Sequence, residues 1–283
     1  MSYQASKTLP FRVEFMRQLR RRRTATAFGL MLLLPLIVVL AIKFGPSTQS
    51  LTTGSGSTPG ASTLIDLATS GAMNFTIVMI FFATGFLLTT VFALFAGDTV
   101  ASEASWASLR YLLAAPVPRR RLLAVKLSVA MTLNLLALIA LLLISYGMGW
   151  AAFGNGPLVS PVGGTFHGSD AMWRLLIITS YVYVTLLFVC GIAFLMSVRT
   201  DVPLGAVGTA VMLGIVLAIL DAITALGNIR NWLPGHYSQA WTDALGPEIV
   251  WDNMAKGAAF TIVPFIILVT AAVLKFDRKD VMS

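Results

Sequence analysis

Residue types that could carry ATP or metal chemistry are few and widely spaced in this chain. A phosphate-binding loop needs a lysine that follows a glycine, and no lysine in the sequence does so. The two histidines, His167 and His236, lie far apart and form no HExxH pattern, so a zinc site is not expected. These patterns predict that the chain has no ATPase motif of its own and holds neither a cofactor nor a metal.

A membrane-embedded hydrolase or a proton-coupled transporter would need polar side chains at membrane depth. Both histidines fall between apolar runs, which argues against a Ser–His pair inside a membrane. Asp221 is the one acidic residue within those runs. It lies 18 residues past Pro203, about 27 Å along a helix, and so is predicted to lie near the outer end of that span. The sequence therefore offers no internal energy source for transport, and we expect energy to come from a partner.

The elements that position these residues are six long apolar runs. The 283 residues are 57% hydrophobic and only 11% charged, too few charges to cover a soluble surface. A membrane-crossing helix needs about 20 apolar residues. The runs that qualify are Ala25–Lys43, Met73–Ala96, Leu122–Trp150, Leu175–Val198, Pro203–Leu226 and Ala258–Leu274. We predict an all-α integral membrane protein with a single transmembrane domain over 1–283, its spans within 25–275 and a tail at 276–283.

The distribution of basic residues predicts the orientation. If the runs alternate across a bilayer, 16 of the 20 lysines and arginines fall on one side. Such an excess is typical of the cytoplasmic side, so both termini are predicted to be cytoplasmic. The formal net charge of +8 then serves topology and contact with anionic lipid headgroups, and nucleic acid is not an expected partner.

Three segments outside the runs have patterns of their own. Leu9–Arg23 places apolar residues every four positions opposite polar ones, which predicts an interfacial helix within 1–24 on the inner leaflet. Gly45–Ala72 is rich in glycine, serine and threonine and is predicted to be a flexible outer loop. Gly227–Lys256 carries several tryptophans and predicts short re-entrant helices in the outer leaflet before the last span.

Two patterns within the runs predict contacts. Small residues at every fourth position of the fifth run predict a close helix–helix contact, within one chain or between two, along Ala206, Ala210, Gly214, Ala218 and Ala222. The second run is rich in phenylalanine and threonine, and its predicted substrate-pathway residues are Phe82, Phe86 and Thr89. An apolar path of this kind suits a hydrophobic or amphipathic cargo such as a drug, a lipid or a peptide. The alternative is that these phenylalanines face lipid or pack in the core.

The link between the second and third runs is unlike a plain loop. Ser102–Ala115 can form a short helix that ends at Pro116 and Pro118, and Arg119–Arg121 follow. One apolar face of that helix comprises Trp106, Leu109, Leu112 and Leu113. A short amphipathic helix closed by prolines and arginines is a suitable docking element.

This link resembles the cytoplasmic link of type-2 ATP-binding-cassette (ABC) exporter permeases. Members commonly carry a glutamate, a leucine-rich stretch, Pro-Val-Ser-Arg, then Leu-Leu and a lysine. The residues that match are Glu103, Leu109, Leu112, Leu113, Pro116, Val117, Arg119, Leu122, Leu123 and Lys126. The chain departs from the pattern at Ser105, where an acidic residue is common, at Ala107, where glycine is usual, and at Pro118, where serine is common.

The resemblance implies a mechanism. Two six-span permeases, identical or homologous, pair, and each docks a separate cytoplasmic ABC ATPase that binds ATP and Mg²⁺. The link helix would transmit nucleotide-driven closure, and the residues assigned to this coupling are Glu103, Trp106, Leu109, Arg110, Leu113 and Arg119. Export and a bacterial inner-membrane location are likewise implied by the resemblance.

Other readings remain open on the sequence alone. The chain could anchor or assemble a complex without moving substrate, or it could be an intramembrane enzyme. Arg119–Arg121 could serve only to fix the topology. A channel is less favoured, since no carbonyl-rich selectivity-filter pattern such as TVGYG occurs in the sequence.

Overall fold

The computed structural model describes residues 10–45, 61–105, 118–161 and 163–278. In chain order, the helices are α1 (Phe11–Leu19), α2 (Arg22–Phe44), α3 (Ala61–Thr69), α4 (Ala72–Gly85), α5 (Leu87–Ser105), α6 (Arg119–Phe153), α7 (Gly168–Arg199), α8 (Pro203–Ala222) and α9 (Asp252–Asp277). Among the described residues, six helices are long and apolar enough to cross a membrane, namely α2, α5, α6, α7, α8 and α9. The prediction of an all-α protein with six such helices is confirmed.

The bundle is built around α7, which packs along both α5 and α9. The inward faces of these helices are apolar, and Phe92, Phe194 and Cys190 are fully buried there. The peripheral helices instead expose large apolar side chains, such as Ile37 of α2, Val216 of α8 and Ile267 of α9. Apolar side chains on the outside of a bundle are expected where the surrounding medium is lipid.

The second predicted span, Met73–Ala96, is not one continuous helix. It is broken at Phe86, where φ is −139° and ψ is −49°, so that α4 and α5 are separate helices. The Thr89 hydroxyl donates to the Thr84 carbonyl oxygen at 2.8 Å and bridges the break. A break at membrane depth requires such a partner, because a carbonyl freed from the helix finds no water in lipid.

Several predicted boundaries differ from the structure. The predicted flexible loop Gly45–Ala72 contains α3, and the predicted interfacial helix Leu9–Arg23 ends at Leu19. The backbone at Arg21 is extended, and α2 begins immediately after it. Helices α6, α7 and α9 begin three to seven residues before the predicted spans, because their first turns are polar and lack the apolar signal.

The two ends of the bundle differ in composition. The end that carries α1, the last turns of α5 and the first turns of α6 is here named the basic end. The opposite end, the aromatic end, exposes four tryptophans, Trp150, Trp173, Trp232 and Trp251. A short antiparallel hairpin, β1 (Leu158–Val159) and β2 (Thr165–Phe166), joins α6 to α7 there.

Residues 223–251, named the cap segment, cover part of the aromatic end between α8 and α9. The cap segment, where short helices were predicted, contains two 3-10 helices, Thr224–Trp232 and Ala240–Leu245. Arg174 of α7 fastens it, donating to the carbonyl oxygens of Ala244 at 2.6 Å and Gly246 at 2.7 Å. These bonds satisfy carbonyls that the short second 3-10 helix leaves unpaired.

Candidate functional site

A buried ion network joins three helices at the basic end. Lys126 of α6 places its Nζ atom 2.7 Å from Oε1 of Glu103 in α5 and 3.3 Å from Oε1 of Glu14 in α1. Arg17 of α1 contacts both carboxylates, 2.7 Å from Glu14 Oε2, and it also pairs with Glu103. The Glu14, Glu103 and Lys126 side chains are all about 1% exposed or less. Charges this deeply buried are tolerated only when they are paired.

A second cluster lies beside the first and holds the start of α2. Arg21 Nη1 is 2.8 Å from Oδ2 of Asp98 and donates to the Ser102 hydroxyl at 3.2 Å. Arg23 forms an ion pair with the other carboxylate oxygen of Asp98. The two clusters together connect α1, α2, α5 and α6 at one level of the bundle.

Helix α1 buries two polar side chains against the protein. Glu14 and Gln18 are buried, and Gln18 donates to Glu14 Oε1 at 3.0 Å. The exposed side chains are both apolar, such as Phe11 and Val13, and basic, such as Arg12. An outer surface of apolar and basic side chains suits a helix at a lipid interface.

The network favours the charged forms of Glu14 and Arg17. Burial alone would raise the pKa of the Glu14 carboxyl, but Lys126 and the hydrogen bonds from Arg17 and Gln18 outweigh it and lower the pKa below its usual value. Burial would lower the pKa of Arg17, yet its two carboxylate partners raise it. The carboxylates and cations thus stabilise one another's ionised states.

Of the predicted coupling residues, the structure describes two, and one of them belongs to this network. Glu103 is one of its central carboxylates. Arg119, at the first turn of α6, donates to the carbonyl oxygens of Phe276 at 3.4 Å and Asp277 at 3.0 Å and so ties α6 to the end of α9. The remaining predicted residues, Trp106, Leu109, Arg110 and Leu113, lie outside the described residues. The segment that contains them connects α5 to α6, whose facing ends are both anchored in the network.

Sequence reasoning missed most of the network. The sequence analysis uses Arg21 and Arg23 only as topology signals and assigns no role to Asp98, and it places Glu14 on the polar face of the N-terminal helix without a partner. A weak signal is present, because Glu14 precedes the arginines before the first span, and Asp98 and Glu103 precede the arginines before the third. The pairing itself depends on how four helices meet, which no local pattern encodes.

A cavity of about 470 Å³ opens at the break between α4 and α5. Its walls come from that break, from α7 and α8, and from the cap segment. The predicted residues that line it are Phe86, Thr89, Gly214, Ala218 and Ala222. Phe82 does not line it; its ring packs against Phe81 at 5.6 Å and is 46% exposed.

The predicted small-residue face of α8 therefore divides into two parts. Ala206 and Ala210 are fully buried where α8 packs on α5. A Cβ atom on Gly97 of α5 would lie 3.0 Å from the Val207 side chain, so the two helices approach closely here. Further along, the two helices diverge and leave the cavity between them.

Asp221 and its neighbours form the polar rim of the cavity. Its Oδ1 atom is 2.6 Å from Nδ1 of His236 and 3.6 Å from Nε of Arg230, both in the cap segment. In the described part of the chain, no hydroxyl group is hydrogen-bonded to His236. An Asp–His pair without a hydroxyl nucleophile does not form the arrangement of a serine hydrolase.

Comparison with known proteins assigns a family. Residues 62–282 match the family described as "Protein of unknown function (DUF2705)". The chain belongs to the DUF2705 family. The DUF2705 match includes Asp98, Glu103, Lys126 and the cavity, whereas α1 and α2 precede it. No curated protein matches the chain.

Proposed function

We propose that this DUF2705 protein is the permease subunit of an ATP-driven ABC exporter. It acts as a pair of permeases with separate cytoplasmic ATPase subunits, which bind ATP and Mg²⁺. The observation that carries the proposal is the buried network of Glu14, Glu103 and Lys126. It anchors both helices that flank the segment resembling an ABC coupling helix.

The geometry supports transmission from that segment to the cavity. A push on residues 106–117 acts on the end of α5, which the ion network joins to α1 and α6. Thr89 lies 14 residues before Glu103 on the same helix, about 21 Å away. A displacement of α5 therefore moves one wall of the cavity, and two positions of α5 would give the two states that coupling requires.

The proposed orientation places the basic end in the bacterial cytoplasm. Most lysines and arginines lie at that end, and four exposed tryptophans lie at the other. Basic residues favour the cytoplasmic side and tryptophans favour the interface. The cap segment then sits at the outer leaflet of the inner membrane, where its 3-10 helices form the proposed re-entrant region. Both termini are cytoplasmic.

The proposal is tested by co-purification from mild detergent. The tagged wild type is expected to bring down a soluble ATPase of roughly 25–35 kDa, the size of a single domain. The double variant Leu109→Asp/Leu113→Asp, which places two charges on the predicted docking face, is expected to lose it. The control Val202→Asp/Leu204→Asp places two charges on exposed positions, one in the α7–α8 link and one in the first turn of α8, and is expected to keep it.

The outcome separates the competing functions. Loss of the ATPase in the first variant alone supports the exporter. An ATPase that binds both variants equally contradicts the docking role of Leu109 and Leu113. If no ATPase accompanies the folded wild type, the exporter proposal fails and the anchoring subunit or the intramembrane enzyme takes its place.

A further inference from the structure

We propose that the cavity at the α4–α5 break binds a lipophilic amine, with an apolar body among the helices and a protonated ammonium group near Asp221. This inference names the cargo class for the same site and rests on the proposed transport function. Three features of the cavity carry it: the state of its hydroxyl groups, its formal charge and its apolar walls.

The threonines that line the cavity offer acceptors and no donors. Thr84 donates its hydroxyl hydrogen to the Ile80 carbonyl, Thr89 to the Thr84 carbonyl, and Thr185 to the Val182 carbonyl, at 2.7 to 2.9 Å. Each hydroxyl has one hydrogen, so only its oxygen lone pairs remain for a ligand. A ligand that satisfies these oxygens must bring hydrogen-bond donors.

The charge of the cavity also favours a cation. Asp221 is the one formally charged residue among the described residues that line it. Its contacts with His236 and Arg230 are both made by Oδ1, and neither of those residues lines the cavity. The Arg230 contact, at 3.6 Å, is longer than a hydrogen bond. The Oδ2 atom can therefore accept from an ammonium group in the cavity.

The remaining walls are suited to the apolar body of such a ligand. Leu186 and Phe188 of α7 line the cavity, as do Val211 and Ile215 of α8. Ser238 and Gln239 of the cap segment can donate or accept hydrogen bonds, so they disfavour neither a cationic nor an anionic ligand. An apolar pocket with a few polar groups at one end orients an amphipathic molecule.

The test compares two fluorescent probes of the same shape and opposite charge. Pyrenebutylamine carries an ammonium group, protonated at pH 7 like the lysine amine, and pyrenebutyrate carries a carboxylate. Each is titrated into the purified full-length protein in detergent, with no ATPase present. The wild type is expected to bind the amine saturably and about tenfold more tightly than the acid, which corresponds to about 1.4 kcal/mol.

Two variants and a matched control locate the site. Asp221→Asn is expected to abolish the preference for the amine. Gly214→Leu adds a side chain beside Val189 and Thr89, 3.8 and 3.9 Å from the new Cβ, and is expected to weaken amine binding at least tenfold by filling the cavity. Gly208→Leu adds the same side chain on the same helix where nothing lies within 4 Å, and is expected to bind as the wild type does.

The proposal is overturned if the two probes bind equally, if Asp221→Asn retains the preference, or if Gly214→Leu binds like Gly208→Leu while eluting as a folded protein. Because no ATPase takes part, the result is independent of the co-purification test. If an ATPase co-purifies but the protein does not prefer the amine, the exporter proposal stands and the proposed cargo class is rejected. If the protein prefers the amine but no ATPase co-purifies, the amine-binding site stands and the exporter proposal is rejected.

Discussion

Lys126 is the residue on which the buried network depends. Its ammonium group is the one fully buried cation that contacts both Glu14 and Glu103 among the described residues. Removing one partner from a buried ion pair leaves an uncompensated charge, which costs far more than loss of a surface pair. The side chain therefore holds α1, α5 and α6 together through electrostatics rather than through apolar contact.

We expect Lys126→Met to lower the free energy of unfolding by about 3–5 kcal/mol, because it removes the buried cation that pairs with both Glu14 and Glu103. Unfolding in mixed detergent micelles, followed by circular dichroism, measures this loss. Arg120→Met, on the same helix as Lys126, is the control. It removes a largely exposed ion pair with Asp277 of α9 and should cost no more than about 1 kcal/mol. Equal losses in the two variants would contradict the role of the network.

At the residue scale, the sequence predicted individual functional residues better than it predicted which side chains they contact. Glu103 was singled out by its place in the link, and the structure puts it in the network. Glu14 lies on the predicted polar face of α1, for which the sequence indicates no partner. Its burial follows from contact with Lys126, more than 100 positions away in the chain. Such long-range pairing is invisible to periodicity, which reports only neighbours along one helix.

Among the elements, the cap segment is fastened to α7 by two anchors, in addition to the contacts that His236 and Arg230 make with Asp221 of α8. Arg174 donates to three of its carbonyl oxygens, including that of Pro247 at 3.1 Å, and lies over the Phe166 ring at 3.7 Å. Tyr181 of α7 donates to the Tyr237 carbonyl oxygen at 2.6 Å. Both anchors belong to α7, so the cap segment is tied to the helix at the centre of the bundle.

We expect Arg174→Met to loosen residues 240–250 and leave the spans intact, because three charge-assisted hydrogen bonds are lost at one point. Hydrogen exchange followed by mass spectrometry should show at least a tenfold faster exchange in that peptide, since about 1.4 kcal/mol of local stability gives a tenfold change. Lys256→Met, which removes an exposed pair with Asp252, provides the comparison. Unchanged exchange in Arg174→Met would show that other contacts hold the cap segment.

The elements were predictable where they were long and apolar. All six predicted runs overlap helices of the structure, because a length of about 20 apolar residues is itself the requirement for crossing a bilayer. The break at Phe86 was missed because apolar residues continue on both sides of it. Helix α3 was missed because its neighbours are rich in glycine and serine. The break is bridged by a single side-chain hydrogen bond, from the Thr89 hydroxyl to the Thr84 carbonyl oxygen, which composition does not reveal.

Across the whole molecule, polar and apolar features are segregated along the bundle. The ion network occupies the basic end, and the cavity lies toward the aromatic end, with α5 extending from one to the other. A chain that only anchored a complex would need no cavity, and it would not need one helix, α5, to connect that cavity to the basic end. This arrangement favours a transporting subunit over an anchor, and it depends on the basic end facing the cytoplasm.

The orientation is therefore the prediction on which the whole mechanism depends. With buried Cys190 replaced by serine, single cysteines at Asn155, in the α6–α7 link, and Val202, in the α7–α8 link, probe the two ends. We expect a membrane-impermeant maleimide to label Asn155→Cys in intact spheroplasts and Val202→Cys only after lysis. The reason is the 16-to-4 division of basic residues between the two sides, because loops rich in lysine and arginine stay on the cytoplasmic side. The opposite pattern would place the segment 106–117 outside, where no ATP-hydrolysing partner could reach it.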